Sequence, residues 1–125
     1  MALGERMTQP TLSMVTLHVK DIQRAISFYR DVLGLPEGEH VPAVKWAEFK
    51  LGGVTLGLHE DEHEQGHRAP GGTSGFYLTV PDVDAFVAKA ERHGARVADK
   101  PQDFPYGRVG SLLDPDGNEL MFIQG

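Results

Sequence analysis

The sequence predicts an α+β fold built from two tandem βαβββ units, and three observations carry that prediction. Val15–Leu35 reads as an apolar strand handing over to a capped amphipathic helix, and Gly75–Gly94 repeats the pattern. Each copy is followed by strand-length segments punctuated by turn residues. Val80, Asp82, Val83, Val87 and Gly94 echo Val19, Asp21, Ile22, Ile26 and Gly34, with an offset of 61 from Asp21 to Asp82 and of 60 from Gly34 to Gly94. Repetition at about half the chain length marks a duplicated supersecondary unit, whereas a solenoid repeats at a shorter period and more often.

Met1–Pro10 carries no periodicity and is expected to be a disordered tail, leaving residues 11–125 as a single domain. The first unit covers about 11–60, a polar loop 61–74, and the second unit about 75–125. In the first strand Val15, Leu17 and Val19 share one face and Thr16, His18 and Lys20 the other. Asp21 is placed to accept from the free N–H groups of the first helical turn. Ile22, Ala25, Ile26, Tyr29, Val32 and Leu33 form the apolar stripe that follows, and Gly34 can take the left-handed conformation that closes a helix. Pro36–Glu39 reads as a turn-rich bridge. Val44–Leu51 alternates, with Val44, Trp46, Glu48 and Lys50 on one face, and Gly52-Gly53 signals a hairpin that returns as Val54–Leu58.

His59–Ser74 has no apolar residue beyond Ala69, and its length points to a functional loop or to local disorder. After the second strand and helix, Arg96–Ala98 reads as a short strand interrupted by Pro101 and Pro105. Gly107–Leu113 is strand-like, Asp114–Asn118 is a strong turn, and Leu120–Gln124 is the last strand. Two such sheets would face each other or curl together and leave a cleft for a ligand.

Composition narrows the function. A chain of 125 residues, 40% hydrophobic and 24% charged, is ordinary for a globular domain with a real core. A net charge of −6 argues against nucleic acid or an anionic membrane surface as partner, because both reward clustered Lys and Arg. With no cysteine there are no disulfides, thiolate nucleophiles or cysteine-ligated zinc. No apolar run reaches the ~20 residues of a membrane span. The N-terminus lacks the apolar core of a signal peptide, so a cytoplasmic location is the default.

The stretches HVKDIQRAISFYRDVLGL, VPDVDAFVAKAERHG and DPDGNELMFIQ together resemble the vicinal oxygen chelate superfamily of glyoxalases, bleomycin-resistance proteins, fosfomycin-resistance enzymes and extradiol dioxygenases. Metal-dependent members hold a divalent ion with His and Glu on the first and last strand of each half. Carried over by the repeat offset, those positions fall on Met14, Gly57, Gly75 and Met121. Glycine has no ligating side chain, and a thioether is too soft for Mg, Mn or Zn among oxygen and nitrogen ligands. The expectation is therefore a cleft with no metal at the family site and no cofactor.

Strand parity names what else shares the cleft face. Thr16 and His18 follow from Met14, Thr55 and His59 from Gly57, Tyr77 and Thr79 from Gly75, and Glu119 and Ile123 from Met121; Trp46, Glu48 and Arg108 are additions from the middle strands. The expected ligand-binding set is His18, Trp46, Glu48, His59, Tyr77, Arg108 and Met121, with two glycines leaving room for a flat or bulky ligand. His18, His59 and Glu119 are the catalytic candidates, imidazole being a ready base near neutrality, although both histidines also read as solvated strand ends. Tyr77 and Trp46 read equally as core aromatics, and Asn118 as a turn residue. His59, His63 and His67 have helical metal-ligand spacing, but Gly66, Pro70, Gly71 and Gly72 argue for a solvated acidic loop.

Two functions follow. The leading one, implied by resemblance to the bleomycin-resistance branch, is a metal-free homodimeric protein sequestering a small aromatic or cationic ligand. The alternative is an isomerase, lyase or dioxygenase/glyoxalase-like enzyme using His18, His59 and Glu119, with or without a non-standard metal. A blander third reading is an accessory dimerisation module. Whether the halves pair within one chain or across a dimer stays open, since the family uses both arrangements.

Overall fold

The computed structural model describes residues 9–60 and 71–125. Most of the expected tail, and loop residues 61–70 with His63 and His67, lie outside the described residues. Strand β1 (Met14–Val19) buries Leu17 and Val19 and turns Thr16 and His18 the other way. Asp21 then caps α1 (Ile22–Ser27), its Oδ1 accepting from the Arg24 N–H at 3.0 Å. The helix widens into a π-helical turn, Phe28–Val32, in which the Leu33 N–H donates to the Phe28 carbonyl at 3.1 Å. Phe28, three residues on from the buried Ala25, enters the core beside Tyr29 and widens the expected apolar stripe.

Three strands complete the half: β2 (Glu37–Val41), β3 (Trp46–Leu51) and β4 (Val54–Glu60). The order in the sheet is β1-β4-β3-β2, with β1 parallel to β4 and the other pairs antiparallel. The segment expected as a turn-rich bridge is β2. It escapes the alternation test because it is a polar, mostly exposed edge strand with a bulge between Glu37 and His40, held by its pairing with β3. The Gly52-Gly53 hairpin is as expected, with Leu51 facing Val54 and Gly52 at φ +63°.

The second half repeats the plan with β5 (Gly72–Val80), α2 (Val83–Arg92), β6 (Arg96–Phe104), β7 (Gly107–Leu113) and β8 (Asn118–Gln124), in the order β5-β8-β7-β6. Asp82 accepts from the Ala85 N–H at 3.0 Å, the counterpart of the Asp21 cap. The likeness extends to a second device. Glu60 Oε1 accepts from the Ile22 N–H at 2.8 Å and Gln124 Oε1 from the Val83 N–H at 3.1 Å, so the end of each half's last strand satisfies its own helix N-terminus. Strand β5 begins before the expected Gly75, which sits at φ +84° within a bulge between Thr73 and Tyr77. Strand β6 runs through Pro101 because it is an edge strand with two register shifts, where a missing N–H costs no ladder bond.

One apolar cluster runs through both halves, from Leu17, Tyr29, Phe49 and Leu58 to Val83, Leu112, Leu120 and Phe122. Across it lies a polar knot. The Asp114 carboxyl, 1% exposed, accepts from the backbone N–H groups of Asp116 and Asn118 (2.9 Å each), from Tyr29 Oη (2.8 Å) and from Asn118 Nδ2 (2.8 Å). Asn118 Nδ2 also reaches the His18 carbonyl (3.0 Å), while Asn118 Oδ1 accepts from the Gly71 N–H (2.8 Å). Asp116 accepts from the Lys20 N–H (3.1 Å) and from Arg24 Nη2 (2.6 Å). Asn118 thus does more than shape its turn. It ties β8 to β1.

Burial, and then the Asp114 charge, push the Tyr29 phenol well above its ordinary value of 10.0. In the folded chain Tyr29 keeps its proton above the pH at which the unfolded chain releases it, so the folded state binds more protons there and stability falls as pH rises. Urea titrations should show stability dropping progressively above about pH 10, and Tyr29→Phe should flatten that drop. Asp114→Ala strands two side-chain donors and two backbone N–H groups and should cost about 2–4 kcal/mol; an unfolding midpoint close to the parent protein's would contradict the role given to the knot.

Candidate functional site

The face of each sheet turned away from its helix collects the chemistry. In the first half, Leu17, Val19, Ala47, Phe49, Leu56 and Leu58 point inward, so alternation turns Met14, Thr16, His18, Trp46, Glu48, Thr55, Gly57 and His59 outward. Register brings His18 opposite His59 across β1–β4, and Trp46 opposite His59 across β3–β4. The imidazole centroids are 6.4 Å apart, and the Trp46 ring lies 6.1 Å from His59. Trp46 Nε1 donates to Glu48 Oε2 at 2.9 Å, and Lys50 Nζ to Glu48 Oε1 at 3.0 Å. The indole bond first, and the ammonium second, hold the Glu48 carboxyl below its ordinary range. The room expected over Gly57 is taken, because a Cβ there would run into the Trp46 ring.

In the second half, a cavity of about 230 Å³ opens on the corresponding face of β5–β8. Tyr77 and Met121, register partners across β5–β8, line it together with Glu119. Its outer wall is aromatic. Phe104 and Tyr106 stack with centroids 5.5 Å apart and planes inclined by 13°, and Tyr106 meets Tyr77 edge-on at 6.2 Å. Their exposures, 41% for Phe104, 59% for Tyr106 and 47% for Tyr77, are large for aromatics on a sheet face. A hydrogen bond to Tyr77, and then desolvation, raise the Tyr106 phenol above its usual value. The floor is acidic: Ser111 Oγ donates to Glu119 Oε2 at 2.8 Å and accepts from the Asp99 N–H at 3.1 Å, which holds the Glu119 carboxylate beside the rings.

Arg108 is not part of this face. Alternation groups Val109 and Ser111 with the cavity and Arg108 with Gly110 on the helix side, where the guanidinium forks onto Asp84 of α2 at 2.7 and 2.9 Å and reaches Asp103 at 3.1 Å. Strand β7 is therefore one residue out of phase with the facing expected for Arg108. Phe104, Tyr106, Asp99, Gln102 and Ser111 lie outside the expected set, although Phe104-Pro105-Tyr106-Gly107 carries the signal of two aromatics in a turn with no core to enter.

The positions where metal-dependent relatives place ligands do not fit a divalent ion. Met14 is exposed, Gly57 lies under Trp46, Gly75 forms a bulge, and Met121 presents a thioether to the cavity. Among the described residues no group of three or more His, Asp or Glu side chains is close enough to hold a metal. The His59, His63 and His67 series lies mostly outside the described residues.

The profile of the Glyoxalase/Bleomycin resistance protein/Dioxygenase superfamily matches residues 11–122. Among solved structures, TnmS3, an antibiotic binding protein from Streptomyces sp. CB03234, is 28% identical, with 94% of this chain and 97% of that one covered at a TM-score of 0.79. A superfamily member from Sphaerobacter thermophilus DSM 20745 is 22% identical (94% and 98% covered, TM-score 0.78), and lactoylglutathione lyase from Agrobacterium tumefaciens is 23% identical (94% and 95%, TM-score 0.75). These last two likenesses speak to the fold alone. No curated protein sequence matches the chain significantly.

Trp46 is the only tryptophan, so its emission reports on the first-half face. Gly57→Ala should swing the indole away, break its bond to Glu48 and shift the emission to the red. The accompanying loss of stability should be about 1–3 kcal/mol. An unchanged spectrum would show that the ring does not rest on Gly57.

Proposed function

Because the chain belongs to the glyoxalase/bleomycin resistance protein/dioxygenase superfamily, we propose that it is a small-molecule-binding protein that sequesters an aromatic, cationic ligand without chemical turnover. The observation that carries this reading is the exposed Phe104–Tyr106–Tyr77 wall standing beside the Glu119 carboxylate. Aromatic faces attract flat rings and cations, and a neighbouring carboxylate adds charge-assisted hydrogen bonding for an ammonium or amidinium group. The net charge of −6 favours the approach of a cation. Supporting the same reading, TnmS3 is an antibiotic binding protein. The ligand ring lies along Tyr106 and Tyr77, its charged group turns toward Glu119, and Met121 adapts to its outline. No metal takes part. A homodimer acting in the cytoplasm belongs to the same proposal.

Calorimetry against a panel of cationic polycyclic compounds should find a ligand that binds once per chain and is recovered chemically unchanged. Tyr106→Ala and Glu119→Gln should each weaken binding by roughly ten-fold, about 1.4 kcal/mol. The double variant His18→Ala/His59→Ala should leave capture intact. Recovery of a converted compound, with conversion lost in the histidine variant, would replace this function with an enzymatic one.

A further inference from the structure

The two seams between the duplicated halves are built differently. On one side, the turn between β7 and β8 reaches α1 and β1 through Asp114, Asp116 and Asn118, as described above. The repeat offset of 61 carries Lys20, Arg24 and Tyr29 onto Pro81, Ala85 and Ala90. Proline has no N–H to offer a carboxylate, and neither alanine can reach across a seam. The opposing turn between β3 and β4 is only Gly52-Gly53, without a carboxylate, and Val54 begins β4 as Asn118 begins β8. Among the described residues, the partners that fill the first seam have no counterpart at the repeat-related positions of the second.

What stands there is a cavity of about 420 Å³. Val15, Leu35 and Val54 of the first half line it against Leu78, Phe86 and Phe122 of the second, with Leu12 at its mouth. Val15 of β1 and Phe76, Leu78 and Val80 of β5 bring inward-facing rows to it, while Tyr77 borders both this cavity and the one that holds Glu119. Among the described residues that line it, Tyr77 and Thr79 are polar and none is charged. Its size is within the range of small-molecule sites and well above that of a packing defect.

We propose that this seam is a second ligand site, which takes an uncharged apolar small molecule such as a fused-ring hydrocarbon. The guest replaces the contacts that Tyr29 and the Asp114 turn supply on the other side, so occupancy locks the two halves together.

Naphthalene is a suitable probe, titrated into protein labelled at the Leu and Val methyls and followed by NMR. Saturable shifts should centre on Val15, Leu35, Val54 and Leu78, and the melting temperature should rise with probe concentration. Val54→Phe and, separately, Leu35→Phe fill the space and should each weaken binding by at least about ten-fold without lowering the melting temperature of the free protein. Tyr106→Ala should leave naphthalene binding unchanged, which separates this site from the one proposed above. Shifts confined to Met121 and Val109, a titration that does not saturate, or equal affinity in the filled variants would overturn the proposal. Binding that appears only on deletion of residues 1–8, or only on dilution, would also overturn it, by showing that the tail or a second copy is the native occupant.

Discussion

The Asp114 carboxyl is the constraint on which the rest depends. It is buried where two halves of the chain meet, and a buried carboxyl is tolerated only when its lone pairs are filled. Two backbone N–H groups from its own turn fill part of that need, while Tyr29 and Asn118 supply the remainder. Each partner is itself fixed by another demand: Tyr29 by the π-helical turn that aims it inward, Asn118 by the β1 carbonyl and the Gly71 N–H. Apolar packing alone would let the halves slide, because it is non-directional. The directional bonds set their register.

Duplication explains how one chain can carry two different outward faces on the same strand plan. Local rules are copied faithfully: an Asp cap, a closing glycine, a strand order with the first strand beside the last, and a strand-end carboxyl or amide over the helix N-terminus. What differs is the outward face. The first half covers its glycine with Trp46 and ties that ring to Glu48, closing the surface. The second leaves Gly75 bare and raises the Phe104–Tyr106 pair beside an acidic floor, opening one. Strand geometry is kept by backbone pairing and inward-facing residues, so outward residues are free to diverge.

The alternation that names inward residues also names outward ones, and this made much of the candidate site legible in the sequence. His18, His59, Trp46, Glu48, Tyr77, Glu119 and Met121 all lie on the outward faces, as their parity requires. Arg108 does not, because phase on β7 depends on where the strand starts after the Phe104–Gly107 turn, and a shift of one residue inverts every side chain. Strand β2 was hidden for a related reason: an exposed edge strand has no buried face to impose a pattern.

By itself, the sequence determined the fold family, the two capped helices, the hairpin at Gly52-Gly53 and the absence of nitrogen or oxygen ligands at the metal positions. Each of these is written in neighbouring residues or in a period of two or 3.6, which is the range over which local chemistry acts. Tertiary structure alone decided that Asp114 meets Tyr29 across 85 positions, that Trp46 closes Gly57 while Tyr106 stays open, and that one seam is filled and the other hollow. These are contacts between segments far apart in the chain. They depend on which surfaces the packed halves bring together, a long-range outcome that no window of the sequence contains.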